Sequence, residues 1–462
     1  MTAVLVVAIG ALAVLSILVS PRVRSSEGFF RGLSESGRAP GLWPLVFSQV
    51  TTWIFARSLL NAAILGYLFG IAGTVAYAAY YGSFLVGAFI IDAVRFRHGH
   101  ASIQSYLRAQ FGRLGEWTFN VLVSVRLVSE VFANLLVVGI LFGATGTVPY
   151  AAAILAVTLF TLAYAMMGGL RASVRTDVLQ MAILLVLLAG LLLVIVRQPG
   201  FDPLAILASS PDLTSPGWVL LAVALLQVWS YPLHDPVMMD RGFLAGRTTT
   251  WRSFHYAFWL STACILAFGL IGVFAGLHRI EGEALMDTLQ RLLTGPALLM
   301  IHLALVVSAV STLDSALSSA SKLAVVDMRM ATPTPTNGRI AMAAFMVGGL
   351  ALLFLGPDDL FAAVAISGTA ALFLAPVIFF CLWGGMTVPQ WSYGAAFAFA
   401  ITGSLVYLLD SAGHVPVMTT LLGPLHDYTK LLIINGAVLA TGCAAFAIGA
   451  FRAHPQPRRA EA

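Results

Sequence analysis

The residues best suited to chemistry lie between Leu305 and Asp327, LVVSAVSTLDSALSSASKLAVVD, where an apolar stretch is crowded with hydroxyls. Ser308, Ser311, Thr312, Ser315, Ser319 and Lys322 follow at i, i+3, i+4, i+7, i+11 and i+14, so a helix carries all of them on one face. Asp314 stands on the flank of that face, one turn from Ser311 and Ser318. Hydroxyls beside a carboxylate are hard oxygen ligands, suited to a small cation that has left water. Serines of membrane helices also back-bond to their own carbonyls and ease close packing. An ionisable Asp at the same depth is costly unless it works or is paired, and that weighs for the cation.

The elements that must position these groups are membrane helices. With 59% hydrophobic residues, 10% charged residues and a mean hydropathy of +0.92, the chain is far more apolar than a soluble domain. Apolar stretches predict thirteen spans, near 2–19, 41–70, 73–93, 117–142, 149–167, 176–196, 217–239, 254–277, 293–325, 340–356, 359–384, 391–409 and 430–451. With the N-terminus outside, nineteen cations fall on the cytoplasmic side, Arg241, Lys322, Arg458 and Arg459 among them, against four on the other. That asymmetry sets the C-terminus inside, in the plasma membrane of the cell (an inner membrane where there are two). The two remaining cations, Arg57 and Arg126, lie inside spans. Cys264, Cys381 and Cys443 sit in apolar spans without metal spacing, so neither disulfides nor zinc are expected. No GxSxG, HExxH, Walker or paired-carboxylate arrangement occurs, which argues against an enzyme.

Two spans read as broken. Thr51-Thr52-Trp53-Ile54-Phe55-Ala56-Arg57-Ser58 puts polar groups at mid-depth, and Tyr231-Pro232-Leu233-His234-Asp235-Pro236 carries two prolines. Irregular backbone survives at that depth only where protein or a water-filled cavity receives its polar groups. Breaks five spans apart are the pattern of inverted-repeat transporters, with a binding site between them at the midplane. Two independent kinks are the simpler alternative.

Residues Gly168 to Gln180, GGLRASVRTDVLQ, resemble the GG-x-x-A-x-x-x-TD-x-x-Q signature of the solute:sodium symporter family, which includes the sodium/glucose, sodium/proline and sodium/sialic acid cotransporters. The Ser308–Asp327 stretch resembles that family's sodium-binding helix. Asp235-Pro-Val-Met-Met-Asp-Arg-Gly-Phe-Leu-Ala is a degenerate form of its NQ-x-x-x-QR-x-x-x-A segment. The resemblance spans about residues 20 to 385. It implies an all-α polytopic fold of about thirteen transmembrane helices, a five-plus-five inverted repeat of the leucine-transporter type. Residues 1–40 then hold the leading helix and a cytoplasmic loop, 41–196 the first repeat, 197–385 the second, and 386–462 two trailing helices and the tail.

The resemblance also implies site residues. The main sodium site maps to the carbonyls of Thr51, Ile54 and Ser308 and the side chains of Ser311 and Thr312. A second cation or proton site maps to Asp177, Ser311 and Ser315, with Asp314 where the family often has serine. Ser58 and Asp235 match substrate positions, with Gln227, Trp229, Tyr231 and His234 as further lining. Arg57 is unusual for the family, and Arg126 falls near a carboxylate-binding arginine of the sialic acid carrier. A carboxylated solute accounts for both, since guanidinium binds carboxylate through two parallel hydrogen bonds. Structural pairs are the alternative: Arg126 with Glu130, and Arg57 with Asp235, Asp177 or Asp314. Tyr77, Tyr80 and Tyr81 either line a vestibule or pack, and packing is the simpler reading.

The function expected is therefore sodium-coupled symport of a small carboxylated solute, an organic acid or an amino acid, by alternating access, with Na+ as coupling ion and lipid as surroundings. Proton coupling through Asp177 and Asp314, a membrane sensor on the same scaffold, and a passive channel are the other classes. The eleven residues after Phe451 hold no output domain, which counts against the sensor.

Overall fold

The computed structural model describes residues 2–353 and 367–452, helical with no strand among the described residues. Residues 354–366, which include the start of the span expected at 359–384, lie outside the described residues, as do Arg458 and Arg459.

Helix α1 (Thr2–Val19) leads, followed by the short α2 (Ser26–Arg31). The first interrupted element comprises α3 (Leu42–Trp53) and α4 (Ala56–Ala79), the latter bent at Gly70 and continued by α5 (Ser83–Ile91). Next come α6 (Ile103–Phe142), α7 (Val148–Gly168), α8 (Leu170–Val196) and the short α9 (Pro203–Leu207). The second interrupted element is α10 (Pro216–Gln227), α11 (Tyr231–His234) and α12 (Pro236–Gly242). The chain goes on through α13 (Arg247–Leu277), α14 (Leu285–Leu292), α15 (Gly295–Lys322) and α16 (Pro335–Leu352). It ends with α17 (Ser367–Trp383), α18 (Gln390–Ser411), the short α19 (Val417–Leu422) and α20 (Asp427–Arg452). Among the described residues, eight helical stretches are long and apolar enough to cross a membrane, and Ala3–Val19, Pro216–Gln227 and Ser367–Trp383 are shorter apolar helices. The protein is an integral membrane protein by this measure.

The Gly168-Gly169 pair has a physical reason. Gly169 turns the chain from α7 into α8 at φ +55°, and a Cβ there would stand 2.5 Å from the Phe29 carbonyl oxygen. A Cβ on Gly168 would run into the Pro21 carbonyl. The pair thus lets residues 21–29 lie across the α7–α8 corner.

The first break is where the polar run predicted it. Ile54 (φ −86°, ψ 78°) and Phe55 (φ −65°, ψ 155°) leave helical geometry, so the i→i+4 ladder is interrupted between α3 and α4. The second break differs from expectation. The helix is lost at Val228–Ser230 and again at Asp235, while Tyr231–His234 forms a helical turn. Pro232 and Pro236 each start a new segment, the position where a missing N–H costs nothing.

Between α4 and α13 the backbones meet through glycine. A Cβ on Gly272 would run into the Ala63 carbonyl, and one on Gly276 would lie 2.5 Å from the Tyr67 carbonyl oxygen. Small residues at such crossings replace the hydrophobic drive that lipid cannot supply. Gly272→Ala is expected to cost about 1–3 kcal/mol, the range for overpacking. Its unfolding midpoint in detergent should fall, while Gly436→Ala in α20, which has open space around it, stays within error of the parent.

Candidate functional site

Between the two breaks lies a narrow cavity of about 20 Å³, lined by Trp53, Phe55, Arg57, Ser58, Tyr77, Tyr80, Tyr81 and Tyr231. Tyr77, Tyr80 and Tyr81 line this space rather than merely packing. The Tyr77 hydroxyl donates to Ser58 Oγ at 3.1 Å, and Tyr80 donates to Gln227 Oε1 at 2.9 Å. Trp53 crosses the gap: its indole N–H donates to Asp235 Oδ2 at 2.9 Å, tying the end of α3 to the turn before α12.

Both membrane arginines are paired. Arg57 Nη2 donates to Glu130 Oε1 at 2.6 Å, and Arg126 bonds the same oxygen from one turn away. Arg126 Nη2 also lies 3.1 Å from Asp235 Oδ2. All four side chains are about 2% exposed or less. The pairing of Arg126 with Glu130 is thus present. The pairing of Arg57 with Asp235, Asp177 or Asp314 is not, because Asp235 is engaged by Arg126 and Trp53 and accepts the Met238 N–H at 2.9 Å as the cap of α12. Formal charge in the quartet sums to zero. Three of its atoms remain unpaired: Arg57 Nε, Arg126 Nε and Glu130 Oε2.

The other lining positions divide. His234 is buried, its Nδ1 2.8 Å from the Tyr231 carbonyl and its Nε2 3.0 Å from Ser367 Oγ, which fixes the ring. Gln227 is buried beside Tyr80. Trp229 is not in the cavity: it is 39% exposed and stacks edge-on to Phe379 and Trp383, because the turn at residue 229 points its side chain outward.

The hydroxyl-rich helix α15 runs past the first break. Ser308 Oγ bonds the Ile54 carbonyl, whose place in the helical ladder is lost, and Thr312 Oγ1 donates to the Ser308 carbonyl at 2.8 Å. Ile54, Ser308 and Thr312 are therefore together. Thr51 lies one turn before the break with its hydroxyl on the Phe47 carbonyl at 2.7 Å. Ser311 turns away from this group and donates to Asp177 Oδ1 at 2.9 Å.

Asp177 and Asp314 meet as predicted, both with no exposed surface. Asp177 also accepts from Ser48 at 2.6 Å. Asp314 accepts from Tyr164 at 2.7 Å and from Ser173 and Thr176 at 2.9 Å each, and Ser315 lies 3.2 Å away. What sequence reasoning missed is the cation among them. Arg241, which by sequence falls among the cytoplasmic loop cations, has no exposed surface. Its Nη2 is 3.0 Å from Ser173 Oγ, 2.9 Å from Ser315 Oγ and 3.7 Å from Asp177 Oδ2. Its place in the degenerate Asp235–Ala245 segment was the available signal. Glu130, the hub of the arginines, was visible only as a neighbour of Arg126. Nearer the cytoplasmic end, Lys322 bridges Asp240 of α12 (2.9 Å) and Asp327 (2.8 Å).

Residues 35–202 match the sequence profile of the Sodium:solute symporter family. No curated protein matches the chain by sequence. Among solved structures, the substrate-bound, outward-open Na+-coupled sialic acid symporter aligns with a TM-score of 0.73, covering 97% of both chains at 17% identity. The closed, bromovinylhydantoin-bound Mhp1, a nucleobase-cation-symport-1 family transporter, aligns at 0.58, with 14% identity over 93% of this chain and 96% of that one. At these identities the likeness is one of fold, and it takes in the interrupted helices on which the site is built. Residues 35–202 are thus similar in sequence to the sodium:solute symporters, and the chain as a whole follows the fold of a solved Na+-coupled symporter.

Proposed function

We propose that this protein is a sodium-coupled symporter that imports a small carboxylated solute, an organic acid or an amino acid, by alternating access. The observation that carries the reading is the convergence of the broken α3–α4 backbone and the α15 hydroxyls, with Ile54, Ser308 and Thr312 in contact. Neutral oxygens from two different elements suit a weakly held monovalent ion. The family match also supports sodium as the coupled ion. Binding there would bridge α3–α4 to α15 and so favour one conformation over the other, as a ligand must if it is to shift an equilibrium.

On this reading Thr51 and Ile54 supply carbonyls, Ser308 a carbonyl, and Thr312 and Ser311 hydroxyls, with Ser311 rotating off Asp177 to reach the ion. Asp177, Asp314 and Ser315 stand behind it. Arg57 and Ser58 face the solute, with Arg126 and Asp235 holding the wall in place and Gln227 and His234 shaping it. We assign thirteen spans in a five-plus-five inverted repeat, residues 41–196 and 197–385, with the N-terminus outside.

The test is thermal stabilisation of the purified protein by sodium, with choline holding ionic strength constant. A ligand that binds only the folded state raises the unfolding midpoint as RT ln(1 + [L]/Kd). Sodium should stabilise and choline should not. Thr312→Ala should demand at least about tenfold more sodium for the same shift, the lower end of what supporting groups contribute at metal sites. Equal midpoints in sodium, lithium and choline at fixed pH would show the assignment to be wrong.

A further inference from the structure

We propose that the cleft between the end of α1, the loop before α3 and the start of α8 is a binding site for an anionic phospholipid. The cleft measures about 540 Å³, a size within the range of about 300–1,000 Å³ usual for ligand pockets. Its walls are of two kinds. Arg38 enters from the loop, and Arg171 and Arg175 stand one turn apart on α8. Opposite this charge, Val19, Pro44, Val174 and Val178 form an apolar side.

The cleft lies at headgroup depth. Trp43, next to Pro44, is exposed and stacks on Tyr256 of α13 with ring centres 5.6 Å apart, and exposed Trp and Tyr mark the edge of the hydrocarbon. Toward the bilayer, Leu18 adjoins Val19 and Val186 follows Val178 two turns on. They are 75% and 72% exposed, as lipid-facing residues are. An acyl chain can therefore run along the valines while its phosphate meets the guanidiniums, which match phosphate oxygens through paired hydrogen bonds. Arg38 and Arg175 are exposed and have no ion pair among the described residues. Arg171 meets Glu35 at 3.7 Å, but that carboxylate is 88% exposed, and so open a contact is worth little against an incoming phosphate. The loop is already shaped for its part: the Ser34 N–H donates to the Arg38 carbonyl at 2.9 Å, and the Arg38 N–H donates to Ser34 Oγ at 2.9 Å. A basic pocket between membrane helices, open to lipid on its apolar side, selects a headgroup with net negative charge and an attached chain.

Thermal unfolding of the purified full-length protein in a nonionic detergent tests this, with phosphatidylglycerol, phosphatidylcholine or glycerol 3-phosphate added. Phosphatidylglycerol should raise the midpoint, and the other two at the same concentration should not. Arg38→Gln combined with Arg175→Gln should demand about thirtyfold more phosphatidylglycerol for the same shift, about fivefold for each arginine. Should that pair fail to fold, Arg38→Gln alone should demand about fivefold more. Arg113→Gln combined with Arg252→Gln removes equal charge from exposed positions outside the cleft and should leave the requirement unchanged. Equal stabilisation by glycerol 3-phosphate would make this a soluble-anion site and overturn the inference. So would equal stabilisation by phosphatidylcholine, or equal weakening in the two double variants, which would reduce the effect to general attraction between a basic surface and an acidic lipid.

Discussion

Glu130→Gln is expected to unfold the protein or to prevent its stable insertion. One carboxylate oxygen, Oε1, receives both Arg57 and Arg126, and none of the three side chains is more than about 2% exposed. Removing the charge strands two guanidiniums at mid-membrane with Asp235 as the only acid left. Asp235 cannot serve both, because it already holds Arg126, the Trp53 indole and the first turn of α12. Breaking a buried pair by deleting one partner costs about 3–5 kcal/mol, and here one deletion breaks two. The expected result is loss of a monodisperse peak on size exclusion and no cooperative melt. Adding Arg57→Gln should restore folding, since the remaining Arg126–Asp235 bridge is then balanced, though solute transport should not return. A single Glu130→Gln protein within about 1 kcal/mol of the parent, the worth of a surface ion pair, would mean that water reaches this quartet and shields it.

What could be read from the sequence follows from which properties are local. Hydropathy is local, so the all-helical membrane class and the break at Thr51–Ser58 were legible, and so was the hydroxyl face of α15, which depends only on helical spacing. The family motif placed Asp177 beside Asp314 although 137 residues separate them in number. Partner choice is not local. Arg57 had three acids to choose from by sequence and took a fourth, Glu130, because α6 brings that residue against the start of α4. Arg241 looked like a loop cation because it lies two residues beyond the expected end of its span and near other arginines. The short α12 carries it inward because Pro236 restarts the helix at Asp235 rather than ending it. Trp229 was misassigned for a related reason: the helix is lost at Val228–Ser230, and a side chain on that turn does not follow helical periodicity.

Arg57→Gln is expected to abolish uptake of the solute while leaving the fold and sodium binding in place, the converse of the result at Glu130. After this change Arg126 still bonds both Glu130 and Asp235, so each acid keeps a cation, and the quartet carries one net negative charge. Arg57 alone of the two arginines lines the cavity, and it meets Glu130 through a single nitrogen, with Nε unpaired. A guanidinium used this way retains donors for an incoming carboxylate, whereas Arg126 is committed to two acids. Glu130 Oε2 is likewise unpaired. An unpaired donor and an unpaired acceptor on neighbouring side chains are the complement of an amino acid head group, carboxylate to Arg57 and ammonium to Glu130. A zwitterion would also enter a neutral quartet without adding net charge. Losing a buried, charge-assisted contact of this kind costs about 2–5 kcal/mol, about thirtyfold or more in affinity. The measurement is competition by amino acids and by simple organic acids for uptake into sodium-loaded-gradient proteoliposomes, parent against variant. Amino acids should compete in the parent and lose at least about thirtyfold in Arg57→Gln, with the sodium-dependent melting shift unchanged. If the variant transports as the parent does, the guanidinium is a strut for Glu130 and the solute is recognised by Ser58 and the tyrosines instead.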